Sequence, residues 1–446
     1  MTELLIEGGE ILNEGCRTTG WIRTRGDRIA EMGRGAFRGE FRGERIDARG
    51  MTVMPGAIDA HVHFREPGLT QKADIATESA AAVAGGVTSY MEMPNTLPAT
   101  VTRELWERKT ESAEGRSAAN YSFWLGATND NIGEIRRADL RRTCGVKLFM
   151  GSSTGNMLVD DRRALSALFE QCELPIAAHC EDEARIRERS AQFRARYGDV
   201  VPASAHPQIR DAEACYRSSA AAVELADRYG AQLHVAHVTT ARELALFDRG
   251  GVAGKKITAE VCVPHLWFCD ADYERLGMLI KCNPAVKSAA DRQALREALR
   301  SGKLDTVATD HAPHEAKRRD GVYWNTPSGM PMVQHSVAAM WTLCDRGLLS
   351  PEELVEKMCH APAVRFAVKE RGFLRPGYYA DIVVVAPRSR TVERSGLLYK
   401  CGWSPLEGES LSRSVVCTIV NGEAAVRDGR FLSEAPRRGR MLEFER

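Results

Sequence analysis

Strand-like and helix-like segments alternate through the middle of the chain, between residues 55 and 371. The segments typical of strands are Ile58–His63, Val87–Met93, Tyr121–Ala127, Gly145–Phe149, Leu174–Ala178, Gln232–Val238, Lys256–Val261 and Leu304–Thr309. Those typical of helices are Asp74–Ala84, Asp161–Cys172, Asp211–Tyr229, Thr240–Phe247 and Ala289–Arg300. Glycines that follow several of these helices can supply a left-handed cap. This alternation predicts an α/β fold with a parallel sheet, and about eight strands predict a (β/α)8 TIM-like barrel.

The two ends of the chain resemble each other and differ from the middle. Short strand-like segments separated by glycines occupy residues 1–54. Further strands are predicted at Asp381–Val385 and within Ser414–Gly422, where Asn421-Gly422 is a strong hairpin signal. We therefore predict that residues 1–54 and 372–446 together form a small β-sandwich domain. Residues 55–371 would form the barrel.

Composition and charge exclude several functions. A chain of 446 residues exceeds one ordinary core. Its net charge of +1 gives no electrostatic basis for binding nucleic acid. No apolar run approaches the ~20 residues of a membrane span, and the acidic segment Met1–Glu7 does not fit a signal peptide. The 12 cysteines form no CxxC pairs, so we expect reduced thiols in a cytoplasmic enzyme with a small-molecule substrate.

Candidate metal ligands stand at the ends of the predicted strands. His61 and His63 are two positions apart at the end of the first strand, so both imidazoles point the same way. The C-terminal ends of barrel strands meet at one face, where such enzymes carry their active sites. Four imidazoles and a carboxylate suit zinc or a similar divalent ion. We therefore predict one metal site that contains His61, His63, Lys147, His179, His237 and Asp310.

Lys147 is unexpected among these ligands, because its ammonium would be repelled by metal ions. One explanation is a salt bridge to a nearby carboxylate. The other is carbamylation by CO2, which would turn Lys147 into an anionic ligand that holds two divalent ions ~3.5–4 Å apart. The residues alone leave both explanations open. The loop at 151–156 is likewise compatible with a lid over the substrate or with a plain turn.

Two segments carry a specific resemblance to a known family. Pro55–Gly68, which contains the two histidines, and Ala308–His314 resemble the signature motifs of the dihydroorotases. These form part of the cyclic-amidohydrolase group of the amidohydrolase superfamily. Further segments that resemble this family are Met93–Thr96, His179–Asp182, His234–Thr240 and Lys281–Pro284, so the resemblance covers the whole chain.

The resemblance implies a binuclear centre with two zinc or similar divalent ions. One ion would be held by His61, His63, Asp310 and a CO2-derived carbamate on Lys147, and the other by Lys147, His179 and His237. Asp310 would be the catalytic base that takes a proton from the nucleophile and gives it to the leaving amide nitrogen. The implied substrate-binding residues are Arg65, Asn95 and His314 for a carboxylate and Asn283 for the ring amide.

The reaction that this family catalyses interconverts (S)-dihydroorotate and N-carbamoyl-L-aspartate in pyrimidine biosynthesis, and we expect a homodimer. One alternative is another cyclic amidohydrolase, such as an allantoinase or a hydantoinase. Arg65 argues against it, because the allantoinase pattern resembles HxHxN at this place and hydantoinases lack the arginine. An alternative of another class is a catalytically silent scaffold subunit, but all six proposed ligands are present here.

Overall fold

A computed structural model describes residues 3–151, 157–315, 322–434 and 437–446. The loop predicted as a lid or a turn therefore lies outside the described residues, apart from Gly151. Among the described residues, no helix has both the length and the apolar character that crossing a membrane requires.

The chain begins with five strands that do not belong to the barrel. They are β1 (Leu4–Asn13), β2 (Cys16–Arg25), β3 (Arg28–Arg34), β4 (Glu44–Asp47) and β5 (Thr52–Pro55). Strands β1, β2 and β3 pair in antiparallel order. Strands β4 and β5 both pair with β1 in parallel, β4 along its first half and β5 along its second half.

The next strands form the predicted barrel. They are β6 (Ala57–Val62), β7 (Val87–Glu92), β8 (Asn120–Phe123), β9 (Leu125–Gly126), β10 (Val146–Phe149), β11 (Ile176–His179), β12 (Leu233–Val235), β13 (Ile257–Cys262) and β14 (Thr306–Ala308). All neighbours pair in parallel. Strands β8 and β9 follow each other across Trp124 and share the third barrel position. A parallel bridge between Val62 and His311 closes the ring. The (β/α)8 prediction is confirmed.

Helices cover the outside of this barrel. They are α1 (Ile75–Ala84), α2 (Arg103–Ala113), α3 (Ile132–Ile135), α4 (Arg162–Gln171), α5 (Glu183–Tyr197), α6 (His206–Ile209), α7 (Ala212–Tyr229), α8 (Val263–Trp267), α9 (Asp272–Leu276), α10 (Ala289–Arg300), α11 (Ser336–Asp345), α12 (Pro351–Val355) and α13 (Ala361–Phe366). The side chains of Asp74, Asp161 and Asp211 cap α1, α4 and α7 by accepting backbone N–H groups. Gly230 ends α7 at a φ of 67°, as a left-handed cap.

The helix predicted at Thr240–Phe247 is wrong, since only a 3-10 turn forms there, at Glu243–Leu246. The Glu243 carboxylate folds back and accepts hydrogen bonds from the backbone N–H groups of Thr239 and Thr240. The carbonyl of Leu244 accepts a hydrogen bond from Lys303 Nζ at 2.8 Å. The local hydrogen bonds of Glu243 and the tertiary contact from Lys303 therefore hold the segment in a short turn.

Six strands lie in the C-terminal part of the chain. They are β15 (Ile382–Ala386), β16 (Arg390–Thr391), β17 (Ser410–Leu411), β18 (Ser414–Val420), β19 (Glu423–Arg427) and β20 (Arg430–Phe431). Four of them join β1–β5 in a second, nine-stranded sheet with the order β20-β19-β18-β15-β5-β1-β2-β3 and β4 beside β1. The other two, β16 and β17, pair with each other in a separate two-stranded sheet. Asn421 and Gly422, with φ values of 50° and 78°, turn the chain from β18 into β19 as predicted. Both termini thus contribute to one β unit, whose strands form a single branched sheet around a shared apolar cluster.

Candidate metal centre

A cavity of about 350 Å³ opens where the barrel strands end. All ten residues predicted from the sequence line it, namely His61, His63, Arg65, Asn95, Lys147, His179, His237, Asn283, Asp310 and His314. The remaining lining residues are Lys72, Phe149, Ala312, Pro327, Ser328 and Gly329. The cavity therefore combines a cluster of metal-ligand side chains with a buried arginine.

Three of the predicted ligands converge on one point. The Nε2 atoms of His61 and His63 lie 3.4 and 3.1 Å from Asp310 Oδ1. The ligand atoms of these three residues all lie within 4.8 Å of one another. Donors that share one zinc ion at about 2.1 Å in a tetrahedron are about 3.4 Å apart. His61, His63 and Asp310 therefore have the spacing of one metal subsite.

A second group of ligands lies beside the first. His179 Nδ1 is 2.9 Å from His237 Nε2, so these two ring nitrogens also converge. Lys147 Nζ is buried between strands and has no hydrogen-bond partner within the described part of the chain. A hydrogen-bonded salt bridge, one of the two explanations for Lys147, is therefore not present among those residues. Burial lowers the pKa of Lys147, which favours the neutral amine that can react with CO2.

The protonation of these groups also suits a metal ion. Burial lowers the pKa of His63 to about 4 and lowers the pKa of His179 and of His237. These imidazoles are neutral at pH 7, the form that binds metals. Burial alone would raise the pKa of Asp310, but His61 and His63 beside it hold this pKa well below the ordinary range. Asp310 is thus ionised at neutral pH.

Three of the predicted site residues have a strained backbone. Arg65, His237 and Asp310 have φ values of 72°, 38° and 47°, in the left-handed region that residues other than glycine rarely adopt. The neighbouring Thr309 anchors the last of these, because its hydroxyl and its N–H both donate to Asp59, at 2.6 and 3.2 Å. Strain of this kind is concentrated at functional sites, where the surrounding structure maintains it.

The end of the cavity that faces Arg65 has the donors that a carboxylate needs. The Arg65 side chain is buried, with Nε donating to the carbonyl of Pro313 at 3.2 Å and Nη2 lying 3.1 Å from His314 Nε2. Burial lowers the pKa of Arg65 to about 10, so the guanidinium stays charged at neutral pH. Asn95 has a role that the sequence analysis missed, because its Oδ1 lies 2.8 Å from His63 Nδ1 and orients that ring.

Carboxylates that were not predicted from the sequence lie behind the proposed ligands. Glu260 Oε1 lies 2.8 Å from His61 Nδ1, and Glu181 Oε2 lies 3.0 Å from His179 Nε2. Both carboxylates are fully buried. Asp59 is a third, since it accepts the N–H of His61 as well as the Thr309 hydrogen bonds. Each of these carboxylates could have been noticed in the sequence, because it is an acidic residue that either lies within an otherwise apolar strand or stands two positions from a predicted ligand histidine.

Comparisons with known proteins agree with this barrel fold. Residues 52–425 match the Amidohydrolase family. An allantoinase of Bacillus velezensis is 30% identical over 436 residues, covering 96% of this chain and 94% of that protein. A dihydroorotase of Halobacterium salinarum is 34% identical over 424 residues, covering 92% and 94%. The structure of an L-hydantoinase (dihydropyrimidinase) from Arthrobacter aurescens is 26% identical, with a TM-score of 0.91 over 99% of this chain and 100% of that one.

The fold and the ligand cluster define the class as a barrel hydrolase of the type that holds divalent metals at its strand ends. The chain belongs to the amidohydrolase family, and within it to the cyclic amidohydrolases. Overall identity does not separate the members of this group, because similar values are found for an allantoinase and for dihydroorotases. The side chains of the cavity therefore distinguish the candidate reactions better than overall identity does.

Proposed function

We propose that this protein is a dihydroorotase, which opens and closes the ring between (S)-dihydroorotate and N-carbamoyl-L-aspartate in pyrimidine biosynthesis. The observation that carries the proposal is Arg65, whose buried guanidinium lines the same cavity as the ligand cluster. In the described structure it contacts a carbonyl and an imidazole, but no carboxylate. A ring that bears a carboxylate would compensate this charge, whereas the uncharged rings of allantoin and of simple hydantoins would not.

The ligand cluster fits two divalent ions, for which we infer zinc. His61, His63 and Asp310 would hold one ion, His179 and His237 the other, and a carbamate on Lys147 would bridge them. When bound, such ions lower the pKa of water towards ~7 and polarise a carbonyl, which makes a nucleophile available at neutral pH.

Side chains of the protein would bind the substrate and transfer the proton. Arg65, with Asn95 and His314, would hold the ring carboxylate, and Asn283 would orient the ring amide, so that the scissile carbonyl faces the nucleophile. Asp310 would take the proton from the attacking water as the C–O bond forms. It would return that proton to the ring nitrogen as the C–N bond breaks. The same groups would serve ring closure in the opposite order.

We expect two divalent ions per chain after loading with zinc and bicarbonate, because Lys147 would complete both subsites as a carbamate. Lys147→Ala should reduce this content to one ion or fewer. Elemental analysis of the purified proteins measures both values. Wild-type protein with one ion or fewer would contradict the binuclear centre, and a bare ammonium at Lys147 in a high-resolution map would contradict the carbamate.

Turnover of three rings by the zinc-loaded protein tests the assignment. We expect kcat/KM for dihydroorotate to exceed that for allantoin and for hydantoin by at least about 10²-fold, since only dihydroorotate engages Arg65. A preference for allantoin or hydantoin would show that the protein is another cyclic amidohydrolase. Two bound ions without turnover of any ring would favour the silent scaffold instead.

A further inference from the structure

Two of the three buried carboxylates behind the histidine ligands, Glu260 and Glu181, lie beside the imidazole rings and outside the residues that line the cavity. Glu260 is on β13, the one barrel strand after β9 that supplies no predicted ligand. Glu181 follows His179 by two residues, just after β11. Neither side chain is accessible to substrate, so any contribution they make to the reaction must pass through the ligands they contact.

Glu260 contacts ligands of both metal subsites. Its Oε1 accepts a hydrogen bond from His61 Nδ1 at 2.8 Å, on the side of the ring away from Asp310. The same oxygen accepts the backbone N–H of His237 at 3.2 Å. His61 belongs to the first subsite and His237 to the second. One carboxylate therefore fixes the ring orientation of one ligand and the backbone position of the other.

Glu181 contacts only one of the proposed ligands. Its Oε2 lies 3.0 Å from His179 Nε2, while His179 Nδ1 faces the second subsite. Arg210 forms a buried ion pair with the same carboxylate and holds it in place. Glu181 is thus linked to the second subsite alone, through His179 Nε2, the ring nitrogen that faces away from that subsite.

We propose that Glu260 is a positioning residue shared by both metal subsites, whereas Glu181 positions a ligand of the second subsite only. A carboxylate that accepts the far N–H of an imidazole fixes its tautomer and orientation and raises its basicity as a ligand. The contact to His237 N–H also stabilises the strained backbone of that ligand. The inference rests on the metal centre proposed above, and not on which ring the enzyme opens.

Zinc affinities of Glu260→Gln and Glu181→Gln distinguish these two roles. The zinc-loaded, bicarbonate-supplied proteins are equilibrated with a chromophoric chelator, and the two dissociation constants are fitted separately. Loss of such an outer partner typically weakens a metal site by about 10–100-fold. We therefore expect Glu260→Gln to raise both constants by about this factor and Glu181→Gln to raise one. Glu260→Asp should recover part of the affinity.

Glu243→Gln is the matched control. Glu243 is equally buried, and its carboxylate accepts hydrogen bonds from Ser219 and Thr240 but from none of the ligands. Both affinities should stay at the wild-type values in this variant. Cobalt-substituted protein provides a second readout. Relative to the wild type, the visible absorption of both bound Co²⁺ ions should change in Glu260→Gln, and that of only one in Glu181→Gln.

Several outcomes would overturn the inference. Wild-type affinities in Glu260→Gln, or the loss of one ion only, would refute the shared role. If Glu243→Gln weakened both zinc affinities equally, the loss of any buried carboxylate would be enough to weaken zinc binding. If Glu260→Gln does not fold, the two zinc dissociation constants are measured on Glu260→Asp instead, where both should rise to a smaller extent. Wild-type protein that binds two ions but opens allantoin would refute the dihydroorotase assignment alone. Failure to bind two ions would refute the binuclear centre and, with it, the shared role of Glu260.

Discussion

Asp310→Asn should lose nearly all turnover of dihydroorotate while the protein keeps bound zinc. The amide oxygen of asparagine can still face the metal, but it cannot accept the proton of the attacking water. Removal of a general base typically costs about 10²–10⁴-fold in rate. We expect a larger loss here, because Asp310 Oδ1 also lies 3.1 Å from His63 Nε2 and would be a ligand as well as a base.

Asp305→Asn provides a control on the same barrel strand. Asp305 is also buried, but it lies at the opposite end of β14, where it pairs with Lys255 and accepts the N–H of Ala259. Its replacement should lower stability and leave kcat near the wild-type value. Steady-state kinetics and elemental analysis on both variants make the comparison. A near-normal kcat in Asp310→Asn would exclude Asp310 from the chemical step.

The side chains that line the cavity could be predicted from the sequence because each proposed ligand follows or lies in a short apolar strand. The period of two in a strand was enough to place His61 and His63 together. Asp310 follows another buried strand, and parallel barrel strands end at one face. Local pattern and barrel topology thus sufficed to bring residues from distant parts of the chain to one cavity.

The residues behind the ligands could not be predicted in this way. Glu260 and His61 are 199 positions apart, and no local period encodes their hydrogen bond. The orientation of the Asn95 amide towards His63 is likewise a tertiary contact. The same limit applies to helices, because nine of the ten residues of α11 are buried and leave no polar face for a pattern to detect.

In the proposed assignment the preference among cyclic amides would depend on Arg65, since the metal centre would serve any of these rings. Arg65→Ala should therefore reduce kcat/KM for dihydroorotate by about 10²-fold or more. Truncating one partner of a buried carboxylate–guanidinium contact costs roughly 2–5 kcal/mol. Arg65→Lys should recover only part of the loss, because an ammonium cannot reproduce the two-pronged geometry of the guanidinium.

An uncharged ring separates recognition from general damage to the site. Hydrolysis of dihydrouracil, which lacks the carboxylate, should change little in Arg65→Ala. Arg116→Ala is the matched control, because Arg116 pairs with Glu66 at 2.8 Å at the surface and lies outside the cavity wall. It should leave both substrates unaffected. If Arg65→Ala reduces kcat/KM for dihydroorotate and for dihydrouracil equally, Arg65 has a structural role and does not recognise the carboxylate. The feature that distinguishes a dihydroorotase from the other cyclic amidohydrolases would then be lost.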